Sequence, residues 1–300
     1  MSESKGKVAI VGSGLIGTCW ATLFVSAGYT VCLYDISTNQ LDSAKQTVLK
    51  NLQKLKSEGL SRGTTTLEEA TTRINTTTKL SEALAGAIYA QESTCEDVEF
   101  KKQIFSEMDR YATSDLTMAS STSQCLVAHP VNPPLYLTLV EIVPAPWSEE
   151  KHLAKACEIM KSIGQEPVKL NHEVLGFAVN RLQYALLAEA WRLVGEDILS
   201  PEDVDKVMSA GLGPRYAIHG PLQTVHLNAN GIRDYFVRYG DGIRRVMADM
   251  GPTPTFQEED IIQKLEKTLN RDMPLDELPA LKAQRERNLA RVASMKKKLD

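Results

Sequence analysis

Three glycines, a carboxylate and a histidine–glutamate pair are the residues of this 300-residue chain whose types and spacing could do chemistry. Gly12, Gly14 and Gly17 form G-S-G-L-I-G between an apolar run, KVAIV, and a segment of helical spacing that starts at Leu15. In such a turn the first glycine permits the tight bend, the second lets backbone approach a pyrophosphate, and the third lets helix and strand pack closely. The helix N-terminus adds unpaired N–H groups and a partial positive charge. Asp35 ends the next β-rich run, TVCLY, eighteen residues after Gly17. A carboxylate there accepts hydrogen bonds from both adenosine ribose hydroxyls and repels a 2′-phosphate. Ile36, Ser37, Thr38 and Asn39 supply no cation to offset that repulsion. The pattern predicts a site for NAD rather than NADP.

His129 lies in A-H-P-V-N-P-P and Glu141 in T-L-V-E-I-V-P, two apolar, strand-like runs on either side of a proline-rich turn. That turn can bring the imidazole beside the carboxylate. An imidazole is suited to take the proton of an alcohol whose hydride is leaving, with the carboxylate fixing its tautomer. Taken alone, the same histidine also reads as a hydrogen-bonded residue at a strand end.

The elements that must position these residues alternate. Strands are predicted at 7–11, 30–34, 87–91 and 116–119, with helices at 15–27, 38–57 and 96–111 between them; 63–66 reads as a polar connection. A further helix is predicted at 149–163 and a last short strand at 167–170. Alternation of this kind implies a parallel sheet covered by helices. From Gly176 onward only helices are predicted, including an apolar one at 177–194, one capped by Ser200 with Pro201 in its first turn, and a charged tail at 278–299. The fold class is therefore α/β: a Rossmann-type N-terminal domain with a mainly parallel sheet over 1–175, then an all-helical domain over 176–300.

Composition narrows the function classes. A formal net charge of -4 argues against nucleic acid as the main partner. Residues 1–7 are polar, and no apolar stretch is long enough to span a bilayer. Five scattered cysteines without a C-x-x-C pair fit reduced thiols and no metal centre, so a cytoplasmic protein is predicted. Arg215, in G-P-R-Y, could pair bidentately with a substrate carboxylate. His152, His172, His219 and His226 stand apart from the motifs and read as surface or structural residues.

In combination, G-S-G-L-I-G, S-S-T-S, A-H-P-V-N-P-P, L-V-E-I-V-P and G-F-A-V-N-R-L-Q-Y-A resemble the 3-hydroxyacyl-CoA dehydrogenase superfamily. R-L-Q-Y-A-L-L-A-E-A-W-R-L-V and G-L-G-P-R-Y-A-I-H-G-P-L are particularly similar to its lambda-crystallin branch, which includes L-gulonate 3-dehydrogenase. The resemblance implies that His129 is a general base with Glu141 as its partner. It implies that Ser123 and Asn180 hydrogen-bond the reacting oxygen and the substrate. Leu15, Ile16, Asp35, Glu96 and Lys101 match cofactor contacts; without the resemblance, Glu96 and Lys101 would read as a solvated helix face. The activity implied is NAD-dependent oxidation of the 3-hydroxyl of a hydroxy acid such as L-gulonate, in a homodimer. The rival enzyme is a 3-hydroxyacyl-CoA dehydrogenase, and the rival outside enzymology is a crystallin-like or silent NAD-binding form.

One departure stands out. The family pattern carries a helix between S-S-T-S and the strand of the histidine, whereas here Ser123 and Gln124 run directly into C-L-V-A-H. About fifteen residues are missing, roughly the minimum for a parallel crossover. The expectation is that 116–119 and 125–129 are not neighbouring parallel strands. They would form a hairpin, or one would leave the sheet, or an upstream segment would be pulled across. A shortened isoform of impaired activity and stability would follow.

Overall fold

β1 (Lys7–Val11) shows why these runs form a central sheet: Val8 and Ile10 enter one hydrophobic core while Ala9 and Val11 enter another on the opposite face. A strand apolar on both faces belongs inside a sheet sandwiched by helices. The structure, a computed structural model, describes residues 3–121 and 126–299. It forms two compact units, Met1–Phe177 with Arg285–Asp300, and Ala178–Gln284.

In the first unit β1 is followed by α1 (Leu15–Ser26), β2 (Thr30–Tyr34), α2 (Thr38–Ser57), α3 (Leu67–Arg73), β3 (Ile74–Thr77), α4 (Leu80–Leu84) and β4 (Ala87–Glu92). Then come α5 (Val98–Tyr111), β5 (Thr117–Ser120), β6 (Val127–Pro130), β7 (Leu139–Val143), α6 (Glu150–Ser162) and β8 (Glu166–Lys169). The sheet order is β3-β2-β1-β4-β5-β6-β7-β8, parallel except for the antiparallel β6–β7 pair. The order reverses between β1 and β4, the crevice where doubly wound sheets bind ligands. The mainly parallel α/β sheet predicted from the alternation is present.

The prediction for β5 and β6 is corrected. They are neighbours and parallel, but through a single residue pair, Ser120 with Val127. Two parallel strands in full register need a crossover because the chain must return to its starting edge. β6 avoids that return by beginning where β5 ends, with Ser120 N–H donating to the Leu126 carbonyl at 3.0 Å. β3 was missed as well. Its sequence, INTT, buries only Ile74, so little apolar pattern marks it.

The second unit is helical: α7 (Val179–Gly195), α8 (Pro201–Lys206), a π-helical turn (Val207–Leu212), α9 (Gly213–Tyr216), α10 (Pro221–Leu227), α11 (Ile232–Asp249) and α12 (Glu259–Asp272). Ser200 caps α8 through the Asp203 amide, with Pro201 in the first turn, as its sequence predicts. A 3-10 turn (Leu275–Glu277) leads into α13 (Leu278–Lys296), whose last residues belong to the first unit. There Glu286 pairs with Lys54 of α2 at 3.2 Å and Ala290 is buried.

Candidate active site

The glycine turn is built from backbone collisions that only glycine avoids. Gly12 has φ +100°, and a Cβ on it would stand 2.7 Å from the Ser93 carbonyl. A Cβ on Gly17 would run into the Gly12 carbonyl oxygen. Gly14 differs: nothing lies within 4 Å of where its Cβ would be, so the turn is open on that side. Gly14 is also the N-cap of α1 and supplies no side-chain cap, leaving first-turn N–H groups for an anion. The cavity beside it measures about 470 Å³ and is lined by Gly12, Gly14, Leu15, Ile16, Asp35 and Thr94, among others. Leu15 and Ile36 expose their side chains along it, apolar flanks for a flat ring system.

Asp35 sits at the C-terminal end of β2. Its Oδ2 accepts from the Ser13 amide at 3.1 Å and the Ser13 hydroxyl at 2.7 Å, and Oδ1 accepts from the Ser37 amide at 3.3 Å. Gln40 Nε2 donates to the Ser13 carbonyl at 3.1 Å. The carboxylate thus holds the glycine turn and faces the same cavity. Open backbone, a helix N-terminus and a half-exposed carboxylate in one cleft fit the phosphates and ribose of NAD.

His129 and Glu141 are directly opposite in the β6–β7 ladder. Nδ1 of His129 lies 2.8 Å from Oε2 of Glu141; the histidine side chain is 21 % exposed and the glutamate 1 %. With Nδ1 engaged by the carboxylate, Nε2 is the ring nitrogen that would take a proton from a bound hydroxyl. The sequence did not signal Phe177, whose ring packs edge-on against the imidazole at 5.3 Å. The apolar run places it at the start of a helix, yet α7 begins at Val179, and Phe177 adopts φ +50° instead. A bulky residue in the left-handed region is strained and must be held by its packing. Phe177 is buried with Val127 and Val143.

The other predicted residues fall in several places. Ser123 lies outside the described residues. Asn180 is half-buried in the first turn of α7, in the second unit. Glu96 is exposed just before Asp97, the N-cap of α5. Lys101 is not on a solvated face: it is buried, with Nζ 2.7 Å from Glu92. Burial pushes the Glu92 carboxyl up, but hydrogen bonds from Lys101, Ser120 and Thr94 together hold it below the usual carboxylate range. His152 Nδ1 lies 2.8 Å from the Thr117 hydroxyl, a structural contact. Among the described residues no group of three or more His, Cys, Asp or Glu could hold a metal, and no helix is long and apolar enough to cross a membrane.

Fold and cavity define an NAD-dependent oxidoreductase built on a Rossmann sheet. Residues 7–174 match the NAD-binding domain of 3-hydroxyacyl-CoA dehydrogenase and residues 176–267 its C-terminal domain. The chain belongs to the 3-hydroxyacyl-CoA dehydrogenase family, within its lambda-crystallin branch. It is 42% identical to the lambda-crystallin homolog of Bos taurus over 315 residues, covering 99% of this chain and 98% of that protein. It is 32% identical over 257 residues to the L-carnitine dehydrogenase of Staphylococcus epidermidis, covering 80% of this chain and 78% of the relative. A solved structure described as an NAD+-dependent dismutase, FHMPC 5-dehydrogenase, shares the fold. Its TM-score is 0.80 at 24% identity, covering 96% of this chain and 97% of that one.

Proposed function

We propose that the protein oxidises the 3-hydroxyl of a free hydroxy acid, L-gulonate above all, to the 3-keto acid. The observation that carries this reading is the His129–Glu141 pair at 2.8 Å, on the sheet of an NAD-dependent dehydrogenase. NAD bound in the glycine-turn cavity would supply the acceptor for the hydride of the carbinol carbon. The hydroxyl proton passes to Nε2 of His129 as the C=O bond forms, and the Glu141 carboxylate stabilises the imidazolium. Phe177 covers the imidazole and limits its contact with water. Ser123 and Asn180 are assigned to hydrogen-bond the reacting oxygen and the substrate on family resemblance. Gly12, Gly14, Leu15, Ile16, Gly17 and Asp35 are assigned to NAD, with Glu96 and Lys101 on the same basis.

Support for a free acid over a CoA thioester comes from the relative named for L-carnitine, itself a free 3-hydroxy carboxylate. We also infer that 1–175 acts as the NAD-binding domain and 176–300 as the substrate and dimerisation domain. α7 buries only Val194 and exposes Leu182, Tyr184, Leu186 and Leu187, an apolar surface suited to a second copy. A cytoplasmic site agrees with the free thiols of Cys19, Cys32, Cys95 and Cys157.

NADH formation with L-gulonate, and not with a 3-hydroxyacyl-CoA, is the expected result; the reverse preference would sink the reading. His129→Ala should lower turnover by about 10²–10⁴-fold while NAD affinity, read by titration, stays near wild type. Unchanged turnover would remove His129 from the mechanism. A second reading, an NAD-binding form of impaired catalysis, has its own support. The alignment with the Bos taurus relative runs over 315 positions against 300 residues here, and β5 meets β6 through one residue pair.

A further inference from the structure

Glu92, the last residue of β4, has no part in the chemistry above, yet its buried carboxylate ties three pieces of the site together. Oε1 accepts from the Thr94 amide at 2.6 Å, the Thr94 hydroxyl at 2.5 Å and Lys101 Nζ at 2.7 Å. Oε2 accepts from the Ser120 hydroxyl at 2.6 Å. Thr94 lines the cofactor cavity, and Lys101 lies in the first turns of α5. Ser120 ends β5 and is the residue through which β5 pairs with β6, the strand of His129.

The neighbouring corner is tied to the same strand end. Ser121 donates through its amide and its hydroxyl to the Glu92 carbonyl, both at 2.9 Å, and Gln91 Nε2 donates to the Ser121 hydroxyl at 3.0 Å. Four donors on one buried carboxylate make a stiff junction, because charge-assisted hydrogen bonds are short and strong away from water. The β4–β5 ladder pairs Glu92 with Ser120 through the backbone, and this junction adds a side-chain link from the cofactor wall to the strand end that meets β6.

We propose that Glu92 is a positioning residue that sets the offset between the NAD cavity and His129. The proposal rests on the reading of NAD as cofactor and His129 as base. A purely structural ion pair is the competing account, and variants separate the two. Ser120→Ala removes the side-chain tie to β5 while leaving the backbone ladder and the Glu92–Lys101 pair. Glu92→Asp keeps the charge but is one methylene too short to reach every donor. Glu92→Gln leaves Lys101 as a buried unpaired cation and is expected to lose folding as well as activity.

The experiment measures kcat, NAD affinity, melting temperature and the NAD-induced shift of the His129 imidazole resonances in wild type, Ser120→Ala and Glu92→Asp. Positioning predicts a fall in kcat of about tenfold or more, since misplacement by ~1 Å costs on the order of a hundredfold. In Ser120→Ala, NAD affinity should stay within about twofold and the melting temperature within a few degrees, while the His129 shift shrinks. Wild-type His129 shifts and kcat in both variants would overturn the proposal and leave the functional reading standing. Failure of NAD to shift His129 in the wild-type protein would overturn that reading, and the proposal with it.

Discussion

The cofactor half of the sheet and the edge that carries His129 are held together by different means. From β3 to β4, each neighbouring pair runs in parallel over at least four residue pairs, and the glycine turn is fixed by backbone that admits no Cβ. From β5 onward the continuity thins to one pair before the antiparallel β6–β7 ladder resumes. A cleft of about 450 Å³ opens beside that seam, lined by Phe105, Leu116, Met118, Leu126 and Trp147, with Trp147 largely exposed. The NAD site is thus specified by local sterics, whereas the histidine depends on register across a weak join. Damage to either half should therefore leave a different signature.

Gly17→Ala should show the largest effect in the cofactor half. The new methyl meets the backbone carbonyl of Gly12, which cannot swing aside as a side chain would, so the turn itself must open. NAD affinity should fall by at least about a hundredfold, ~2.7 kcal/mol, with a loss of ~1–3 kcal/mol in stability. The His129–Glu141 hydrogen bond should survive, visible as an unchanged imidazole signal. Tight NAD binding by this variant would show that the turn is not the cofactor's seat.

A change at the seam should do the reverse. Inserting a helix-forming segment of about fifteen residues after Ser123 supplies what a parallel crossover needs. Turnover should rise by tenfold or more and the melting temperature by several degrees, with NAD affinity unchanged. If neither turnover nor melting temperature moved, the short connection would be no handicap.

How legible each half was follows from the same contrast. β1, α1, β2 and Asp35 were readable because motif and contact lie within one short stretch of chain. His129 and Glu141 were readable as a pair because a single turn joins their strands. The β5–β6 relation was not, since the argument from crossover length assumed overlapping strands, and these meet end to end. Without the resemblance Lys101 reads as solvated, because no partner is visible in the sequence; Glu92 is nine residues away and becomes its partner only when β4 and α5 fold together. Phe177 fell inside an apolar run, where a reversal of φ leaves no mark in composition. The apolar face of α7 was visible in sequence, but its exposure is a property of the folded unit alone.

The smallest effect concerns the carboxylate that sits on the seam. Glu92 is held below its ordinary value of 4.5 in the folded protein by Lys101, Ser120 and Thr94, despite its burial. A depressed folded-state pKa means that the unfolded chain takes up this proton first as pH falls. The contribution is fully present above the ordinary carboxylate value and is lost as pH drops toward the folded one. One such group contributes a slope of at most about 1.4 kcal/mol per pH unit in that window. Wild-type stability should therefore decline more steeply below about pH 4.5 than that of the double variant Glu92→Gln/Lys101→Met, which removes both charges and leaves neither unpaired. Parallel pH profiles from denaturant melts would show that the carboxylate titrates alike in folded and unfolded chains, and that the seam draws no strength from its charge. A steeper wild-type profile would locate an acid-sensitive link at the join between the two halves.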